Sequence, residues 1–560
     1  MKKNPFSWLK YLLWLVPLLF LGFFFFYPLG SILSLAVSQA VSQGKAISSG
    51  VILRPLWFTL WQAVLSTLLT LLAGLPAAYV FARFSFPGKR ILSTLTTLPF
   101  ILPTVVAAAG INALLGPRGW LNLVLMQLFH LAFPPLNIVN TLAAILIAHV
   151  FYNIPIVIRV VGSAWVQLDP RMEQAASVLG ATRQQVTRKV TFPLLRPSLM
   201  VAALLVFLFD FTSFGVILIL GGPRFETLEV AIYTQALSFL NLPAAGLLSL
   251  VQITFTLMLT WVYSRLVAGM NIPLLPRLKG EGIRIPRRTA EKAIVWLVVI
   301  FLILLQVLPL AALVSRSVIR LEAERGERGV VQTGVTLDYY RELFINRTSS
   351  IFFVSPARAA LNSLLFATVT VLISVSFGLM AAYALARLKG AHRLMDLAIM
   401  LPLGTSAVTL GLGFIITFNH PPLDARSFPL IIPFAHSLVA LPFVVRTVQP
   451  VLASIPESYR QAASVLGATP WQVWWKVEAP IIRRSALVGA IFSFTISLGE
   501  FGATSFLARP DLPTLPVAIY RYLSQPGALN YGQAMAMSTI LLLVCGASIF
   551  LLERIQEAAE

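Results

Sequence analysis

The chain has 560 residues, of which 58% are hydrophobic and only 11% are charged. Soluble domains carry roughly a quarter charged residues, so this composition excludes an ordinary soluble protein and indicates a membrane protein. The single cysteine, Cys545, excludes an intrachain disulfide.

Twelve apolar segments are long enough to be transmembrane helices, which need about 20 residues with few charges. In chain order they cover residues 11–37, 57–82, 92–115, 138–163, 196–221, 243–264, 293–315, 359–386, 394–417, 429–449, 485–508 and 528–552. The first segment is longer than the apolar part of a signal peptide, so we expect an uncleaved first span. The sequence therefore predicts an all-α integral membrane protein.

The net charge of +21 could indicate a nucleic-acid partner, but its distribution argues against one. The densest basic cluster lies between spans six and seven: Arg265, Arg277, Lys279, Arg284, Arg287, Arg288 and Lys292. Cytoplasmic loops of membrane proteins carry such an excess of Lys and Arg. We therefore predict that the partner of this basic surface is membrane lipid and that both termini are cytoplasmic. Residues 316–358 carry mixed charges and are predicted to form an external loop.

The chain shows no motif for chemistry of its own. It lacks the phosphate-binding pattern G-x-x-x-x-G-K-[ST]. Its five histidines are not spaced as metal ligands, and no catalytic Ser/His/Asp pattern is present. The sequence predicts a protein that is not an enzyme and binds neither a cofactor nor a metal.

The segment QAASVLGAT occurs twice, from Gln174 to Thr182 and from Gln461 to Thr469. The offset of 287 residues (461 minus 174) also aligns Pro155 with Pro442 and extends to residues 227–233 and 514–520. The chain is thus two copies of one six-span unit in the same orientation. We predict a first unit at 1–270, a basic linker at 271–292 and a second unit at 293–560.

The repeated segment lies between spans four and five of each unit, within loops at about 165–195 and 452–482. A proline near the start of a first helix, a glycine suited to a left-handed turn and a capping threonine recur in both copies, at Pro170, Gly180 and Thr182 and at Pro456, Gly467 and Thr469. Gln185 and Gln472 stand three residues after these threonines, which is a capping-box pattern. We expect helix, glycine turn and helix, with Pro193 and Pro480 ending the second helix.

Such a loop could be a DNA-reading helix–turn–helix or an amphipathic surface segment. Spans flank it closely, which leaves poor access for a duplex. Loops usually diverge faster than the elements they connect. A loop kept identical in both halves therefore indicates that each copy fits the same partner surface, which must also be present twice.

These loops resemble the EAA loop of permease subunits of binding-protein-dependent ABC importers. The motif reads Gln174-Ala175-Ala176 with Gly180 and Pro193 in the first copy, and Gln461-Ala462-Ala463 with Gly467 and Pro480 in the second. Glutamine replaces the motif's glutamate in both. Glu173 is adjacent in the first copy, whereas Arg460 holds that place in the second, so an ionic contact there is left open.

The resemblance implies a type I importer permease in the bacterial or archaeal cytoplasmic membrane. In that family, the loops dock onto two copies of a cytoplasmic ABC ATPase, which holds ATP and Mg²⁺, and an extracytoplasmic solute-binding protein delivers the solute. Residues 146–155 and 221–233 are similar to the fused ferric-iron and thiamine permeases. Residues 498–504 are also similar to molybdate and sulfate permeases.

Two carboxyl groups within spans, Asp210 and Glu500, are candidates for the transport pathway, because such groups are functional by default. They do not align in the repeat, and the alternative is that each is paired with a hydroxyl group or held near an aqueous end of its span. His149 and His436 do align, and packing is the simpler interpretation for them. A twelve-span secondary transporter and a membrane scaffold remain alternatives, although neither needs the paired loops.

Overall fold

The computed structural model describes residues 7–42, 49–268, 283–320, 334–345, 355–387, 392–421, 423–424 and 427–557. Residues 271–282 of the predicted linker and residues 321–333 and 346–354 of the predicted external loop lie outside the described residues. Within the described ranges, the protein is helical apart from one short pair of strands.

The first half of the chain contains thirteen α-helices in the described ranges. They are α1 Ser7–Leu21, α2 Tyr27–Ser42, α3 Ser49–Arg83, α4 Lys89–Ile101, α5 Thr104–Leu115, α6 Trp120–Phe129, α7 Leu142–Gln167, α8 Pro170–Val178, α9 Arg183–Val186, α10 Phe192–Phe211, α11 Gly215–Leu220, α12 Leu228–Tyr233 and α13 Leu242–Ala268. Widened π-helical turns at Gly22–Phe26, Thr187–Thr191 and Thr234–Ser238 continue some of these helices, and Gly222–Arg224 is a 3₁₀ turn.

The second half contains thirteen further α-helices in the described ranges. Its helices are α14 Thr289–Leu302, α15 Leu308–Val318, α16 Asp338–Arg341, α17 Pro356–Arg387, α18 His392–Met400, α19 Ala407–Thr417, α20 Ile431–Ser454, α21 Glu457–Val465, α22 Pro470–Val473, α23 Ala479–Gly499, α24 Gly502–Leu507, α25 Leu515–Leu523 and α26 Ala528–Glu557. π-helical turns lie at Ile303–Val307 and Trp474–Glu478, and 3₁₀ turns at Glu342–Phe344 and Leu401–Gly404. The strands β1 Ile319–Arg320 and β2 Gly334–Val335 pair antiparallel.

Ten described helices are long and apolar enough to cross a membrane, and two bent helix pairs raise the number to twelve. The bent pairs are α4–α6, with an angle of 111°, and α18–α19, with an angle of 99°. They correspond to the third and ninth predicted spans, and each is a bent pair of helices. Leu102 is extended because the α conformation is disfavoured before Pro103. Ser406 is also extended and caps the helix that follows it.

The fifth and eleventh predicted spans are also interrupted. The helix α10 ends at Phe211 and α11 begins at Gly215, whereas the sequence predicted one span over 196–221. In the same way, α23 ends at Gly499 and α24 begins at Gly502 within the predicted span 485–508. Each repeat therefore has a break near the end of its fifth span.

Two compact units form, and neither follows the order of the repeats. One unit, here the first-loop unit, comprises Ser48–Val230 and Thr254–Arg316. The other, the second-loop unit, comprises Met1–Ile47, Ala231–Ile253 and Ser317–Glu560. The first span thus groups with the second repeat, and most of the seventh groups with the first repeat. The boundaries of the sequence repeats at 1–270 and 293–560 stay a prediction.

A close helix crossing lies at the core of each unit. In the first-loop unit α3 packs on α7, and a Cβ atom on Gly74 would lie 2.7 Å from the Val157 side chain. In the second-loop unit α17 packs on α20, and a Cβ atom on Gly378 would lie 2.6 Å from Val444. Real Cβ atoms do not approach this closely, so the glycine allows each crossing. These crossings fix the spans that carry the loops described next.

Candidate functional site

The first repeated loop is two short helices joined by a left-handed glycine. The Asp169 side chain caps α8 by accepting from the Arg171 N–H at 2.9 Å. Gly180 has a φ of +85°, and the Ala181 N–H donates back to the Ala176 carbonyl at 3.1 Å. This bond satisfies a carbonyl that the end of the helix leaves unpaired. Gln174 and Ala175, the other residues of the motif, lie on α8.

A reciprocal cap starts the second helix of this loop. The Gln185 N–H donates to Thr182 Oγ1 at 3.3 Å, and the Thr182 N–H donates to Gln185 Oε1 at 2.8 Å. The predicted capping box is confirmed.

The second loop has the same construction. Gly467 also has a φ of +85°, and the Ala468 N–H donates to the Ala463 carbonyl at 3.0 Å. Thr469 and Gln472 exchange hydrogen bonds of 2.9 and 3.3 Å. Gln461 and Ala462 lie on α21 as Gln174 and Ala175 lie on α8. The predicted glycine turns and capping boxes are therefore present in both repeats.

Two bulky apolar side chains stand exposed at the end of each first helix. Val178 and Leu179 are 87% and 88% exposed, and Val465 and Leu466 are both 87% exposed. Gln174 and Ala175 are exposed, and Ala176 is half-buried. The second loop shows the same exposure at Gln461, Ala462 and Ala463. Each loop thus presents the same face, with an apolar tip and small residues behind it.

The two prolines do not end the second helix, so that part of the prediction is wrong. After the four residues of α9, the chain continues through the π-helical turn Thr187–Thr191 into α10, which contains Pro193 in its first turn. The Phe192 N–H donates to the Thr187 carbonyl across this wider turn. Proline lacks an N–H and crowds the carbonyl four residues before it, and the wider turn accommodates both effects. Pro480 follows the π-helical turn Trp474–Glu478 in the same way.

An ion pair holds the first loop to the end of span two. Arg83, the last residue of α3, places Nη2 2.7 Å from Glu173 Oε1 on α8. Thr191 Oγ1 donates to the same carboxylate oxygen at 2.9 Å. The Arg284 N–H also donates to the Arg83 carbonyl at 3.0 Å, which ties the described end of the linker to this point. The charged side of α8 therefore faces the spans.

The second loop has an ion pair with the charges rearranged. Glu478 Oε1 lies 3.4 Å from Arg387 Nη2, at the end of α17, and 3.6 Å from Arg460 Nε, on α21. Arg460 occupies the position of Glu173, and Glu478 that of Thr191, because 460 − 173 and 478 − 191 both equal 287. The carboxylate has moved from the short helix to the start of the next span. The contact that the sequence left open is thus present in both units.

Asp210 and Glu500, the candidate pathway residues, both lie in buried polar clusters. Asp210 is 1% exposed, and its Oδ1 accepts from Asn153 Nδ2 at 2.7 Å. Glu500 is 8% exposed, and its Oε2 accepts from Thr504 Oγ1 at 2.6 Å. Each carboxyl group therefore has polar partners within its own unit. Glu500 has the hydroxyl partner that the alternative to a pathway role expected, whereas Asp210 accepts from an amide. A pathway role for these two residues stays a prediction.

His149 and His436 lie in these same clusters. His149 shares hydrogen bonds with Ser66 and Ser213, and His436 shares them with Ser497 and Thr504. The sequence predicted that these histidines are packed side chains, but it did not predict their hydrogen-bond partners. Among the residues that the structure describes, no group of three or more His, Cys, Asp or Glu side chains could hold a metal ion.

Residues 70–272 and 357–559 each match the family described as the inner membrane component of binding-protein-dependent transport systems. The chain belongs to this family. It is the permease of an ABC importer, a transport component with two fused repeats and several membrane-spanning helices.

Similar proteins extend over most of the permease. It is 30% identical over 505 residues to the thiamine transport system permease protein ThiP of Brucella abortus, covering 89% of this chain and 86% of the relative. It is 29% identical to ThiP of Escherichia coli, covering 89% and 88%. It is 25% identical to a probable ABC transporter permease protein of Sinorhizobium fredii, covering 87% and 84%. The likeness therefore includes both loops of the permease.

Proposed function

We propose that this permease imports thiamine, and that two copies of one ATPase drive it through the two repeated loops. The supporting observation is that the two loops present the same exposed face while their charged sides differ. Glu173 and Arg460 have opposite charges, yet each forms an ion pair with a residue at the end of a span. The exposed tips carry identical residues. A pair of identical ATPase subunits has the same binding surface twice, so the two loops must present the same exposed face to it.

The mechanism follows from how each loop is anchored. Closure of the ATPase pair on ATP moves the two tips toward each other. The second short helix of each loop continues into span five through a π-helical turn. The first short helix is joined to span two by the Arg83–Glu173 pair in one unit, and in the other by Arg460 and Arg387, which share Glu478. Motion of a tip is therefore transferred to two spans of the same unit. The units rock, and the pathway opens first to one side of the membrane and then to the other.

The proposed cargo rests on the relatives. The two relatives that are 30% and 29% identical over most of the chain are both named as thiamine transport permeases. Neither of these two names mentions ferric iron, which the sequence also suggested. Thiamine is delivered by an extracytoplasmic binding protein. The chain lies in the bacterial inner membrane with both termini in the cytoplasm. ATP and Mg²⁺ are bound by the ATPase and not by this permease.

Reconstitution tests the whole assignment. The permease, its ATPase and its binding protein are placed in liposomes, and uptake of labelled thiamine is measured with ATP inside. We expect uptake that requires ATP and the binding protein, with ferric iron, molybdate and sulfate not transported. Uptake driven by a proton gradient without an ATPase contradicts the importer mechanism. ATP-dependent uptake of another solute contradicts the cargo alone.

A further inference from the structure

In the first-loop unit, the His149 ring contacts a carboxyl group and a hydroxyl group on opposite sides. Its Nδ1 lies 3.4 Å from Asp210 Oδ1 and 2.9 Å from Ser66 Oγ. Its Nε2 lies 2.9 Å from Ser213 Oγ. The histidine is buried on α7, so both ring nitrogens depend on these partners for hydrogen bonding.

In the second-loop unit, the order is exchanged. His436 Nδ1 lies 2.7 Å from Ser497 Oγ. Its Nε2 lies 3.1 Å from Glu500 Oε2 and 2.8 Å from Thr504 Oγ1. The carboxyl group has moved from Nδ1 to Nε2, and the serine on the opposite side of the ring has moved from Nε2 to Nδ1. In both units a further hydroxyl group, from Ser66 or Thr504, lies at the same ring nitrogen as the carboxyl group.

The repeat offset shows that the carboxyl and the hydroxyl residue have exchanged places between two aligned positions of the repeats. The histidines correspond, since 436 − 149 equals 287. Ser497 occupies the position of Asp210, and Glu500 that of Ser213, because both differences also equal 287. Each histidine therefore contacts one carboxyl and one hydroxyl group from the same two positions, in either order. This explains why Asp210 and Glu500 do not align although both clusters contain a carboxyl group.

Each cluster lies at the break near the end of span five of its repeat. Asp210 belongs to the last turn of α10, and Ser213 lies in the break before α11. Ser497 belongs to the last turn of α23, and Glu500 lies between α23 and α24. The histidines belong to span four of each repeat. Each cluster thus fastens the interrupted part of span five to span four.

The two carboxyl groups are supported differently. Asn153 Nδ2 donates to Asp210 Oδ1 at 2.7 Å, and the position of Asn153 in the second repeat is Ala440, since 440 − 153 equals 287. Glu500 instead accepts from the backbone N–H groups of Ala503 and Thr504 at 2.8 and 2.9 Å.

We propose that His149 and His436 are positioning residues that hold the break in span five, and that each requires one carboxyl and one hydroxyl group from the two aligned positions, 210 and 213 or 497 and 500, in either order. Asp210 and Glu500 are then part of this fastening and do not bind cargo. The effect on uptake rests on the proposed function, whereas the effect on the break does not.

The test moves the carboxyl group within the first repeat. The variants are D210S, S213E, the isosteric D210N and the exchange D210S/S213E. Because Cys545 is the single cysteine, C545A gives a background in which T212C reports the break by its labelling with maleimide. We expect D210S and D210N to label faster and to lower the turnover of uptake at least about tenfold, near the factor for one lost hydrogen bond to a buried group. The KM for the loaded binding protein stays unchanged.

The exchange D210S/S213E should restore both slow labelling and turnover, because the added carboxyl group at 213 reaches Nε2 and caps α11. If it is as impaired as D210S, or if D210N behaves like the parent, the proposal is overturned. A raised KM in D210S that the exchange does not repair shows contact with cargo and also overturns it. Restored labelling with no uptake in any variant, including the parent, supports the fastening and rejects the proposed function.

The second repeat provides the matched control. The reverse exchange S497D/E500S places a carboxyl group at position 497. The amide that supports the carboxyl group in the first repeat is missing there, because the second repeat has Ala440 at the position of Asn153. We expect this exchange to stay impaired and to recover only in A440N/S497D/E500S. Recovery without A440N contradicts the role of the amide. Where D210S alone does not accumulate in membranes, restored accumulation of D210S/S213E above both single variants supports the same conclusion, and its absence overturns it.

Discussion

Gly180 and Gly467 have the same left-handed backbone conformation, with a φ of +85° at each. A Cβ atom at either position meets no heavy atom within 4 Å. Glycine is therefore required by the backbone and not by crowding. The angle between the two short helices of each loop depends on this one residue.

Replacing Gly180 or Gly467 with valine should uncouple transport. A β-branched residue in the left-handed region costs at least about 1–2 kcal/mol, so the turn relaxes to another angle and the tip is displaced. We expect ATP-driven uptake to fall at least about tenfold in either single variant, since both loops share one closure and 1.4 kcal/mol corresponds to tenfold. Uptake is measured in liposomes and normalised to inserted protein.

Gly88 supplies the matched control for this prediction. It has a φ of +77° and equally open space around its Cβ position, but it lies outside both loops. Gly88→Val should therefore carry a similar strain and retain most uptake. Equal losses in all three variants indicate a general folding defect and not a coupling role.

The exposed face of each loop should tolerate no long charged side chain. Ala175→Arg and Ala462→Arg place a hydrated group on the small-residue surface, and Leu179→Arg and Leu466→Arg remove the apolar tip. Each should abolish co-purification with the ATPase while the permease still inserts. Leu240→Arg changes another leucine that is 76% exposed, and we expect it to leave the ATPase bound. Normal ATPase binding in all four loop variants contradicts the docking role.

Local patterns were enough to predict these loops, because their caps and glycine turns depend on neighbouring residues. The role of Glu478 was beyond such reasoning. Its counterpart in the first repeat is Thr191, and its partner Arg387 corresponds to Arg83 at an offset of 304 and not 287. Only the packing of distant helices brings these groups together. The exchange of the first and seventh spans between compact units is likewise set by tertiary contacts, which hydropathy does not encode.

The two ion pairs should differ in their effect on stability. Glu478 is nearly buried, at 2% side-chain exposure, and lies between two arginines, whereas the Glu173 side chain is 29% exposed. Glu478→Gln leaves two cations close together and should lower the free energy of unfolding by roughly 3–5 kcal/mol, the usual cost of breaking a buried pair. Glu173→Gln should cost less, because the Glu173 side chain is partly exposed and only one arginine, Arg83, loses its carboxylate. Thermal unfolding in detergent compares them, and equal shifts contradict this ranking.

A separate prediction concerns the outer segments 222–242 and 509–527, which we expect to contact the binding protein together with the described parts of residues 316–358. Arg224 is exposed, whereas Arg509 Nε lies 3.8 Å from Asp511 Oδ1 and is partly neutralised. Arg224→Glu should therefore weaken binding-protein affinity more than Arg509→Glu, and both should leave ATPase assembly intact. Affinity is measured on the permease in nanodiscs. Unchanged affinity in both variants contradicts the predicted contact.

The last prediction concerns stoichiometry. The chain carries two repeats, and each has a complete docking loop with its own glycine turn, capping box and ion pair. One chain therefore already offers two equivalent tips, which is the number that an ATPase pair can use. A second chain would supply four. We expect native mass spectrometry of the purified complex to show one permease with two ATPase subunits. We expect the double variant Gly180→Val/Gly467→Val to keep this ratio. Its transport should be lost. A complex with two permease chains contradicts the interpretation of the fused repeats as the full membrane pathway.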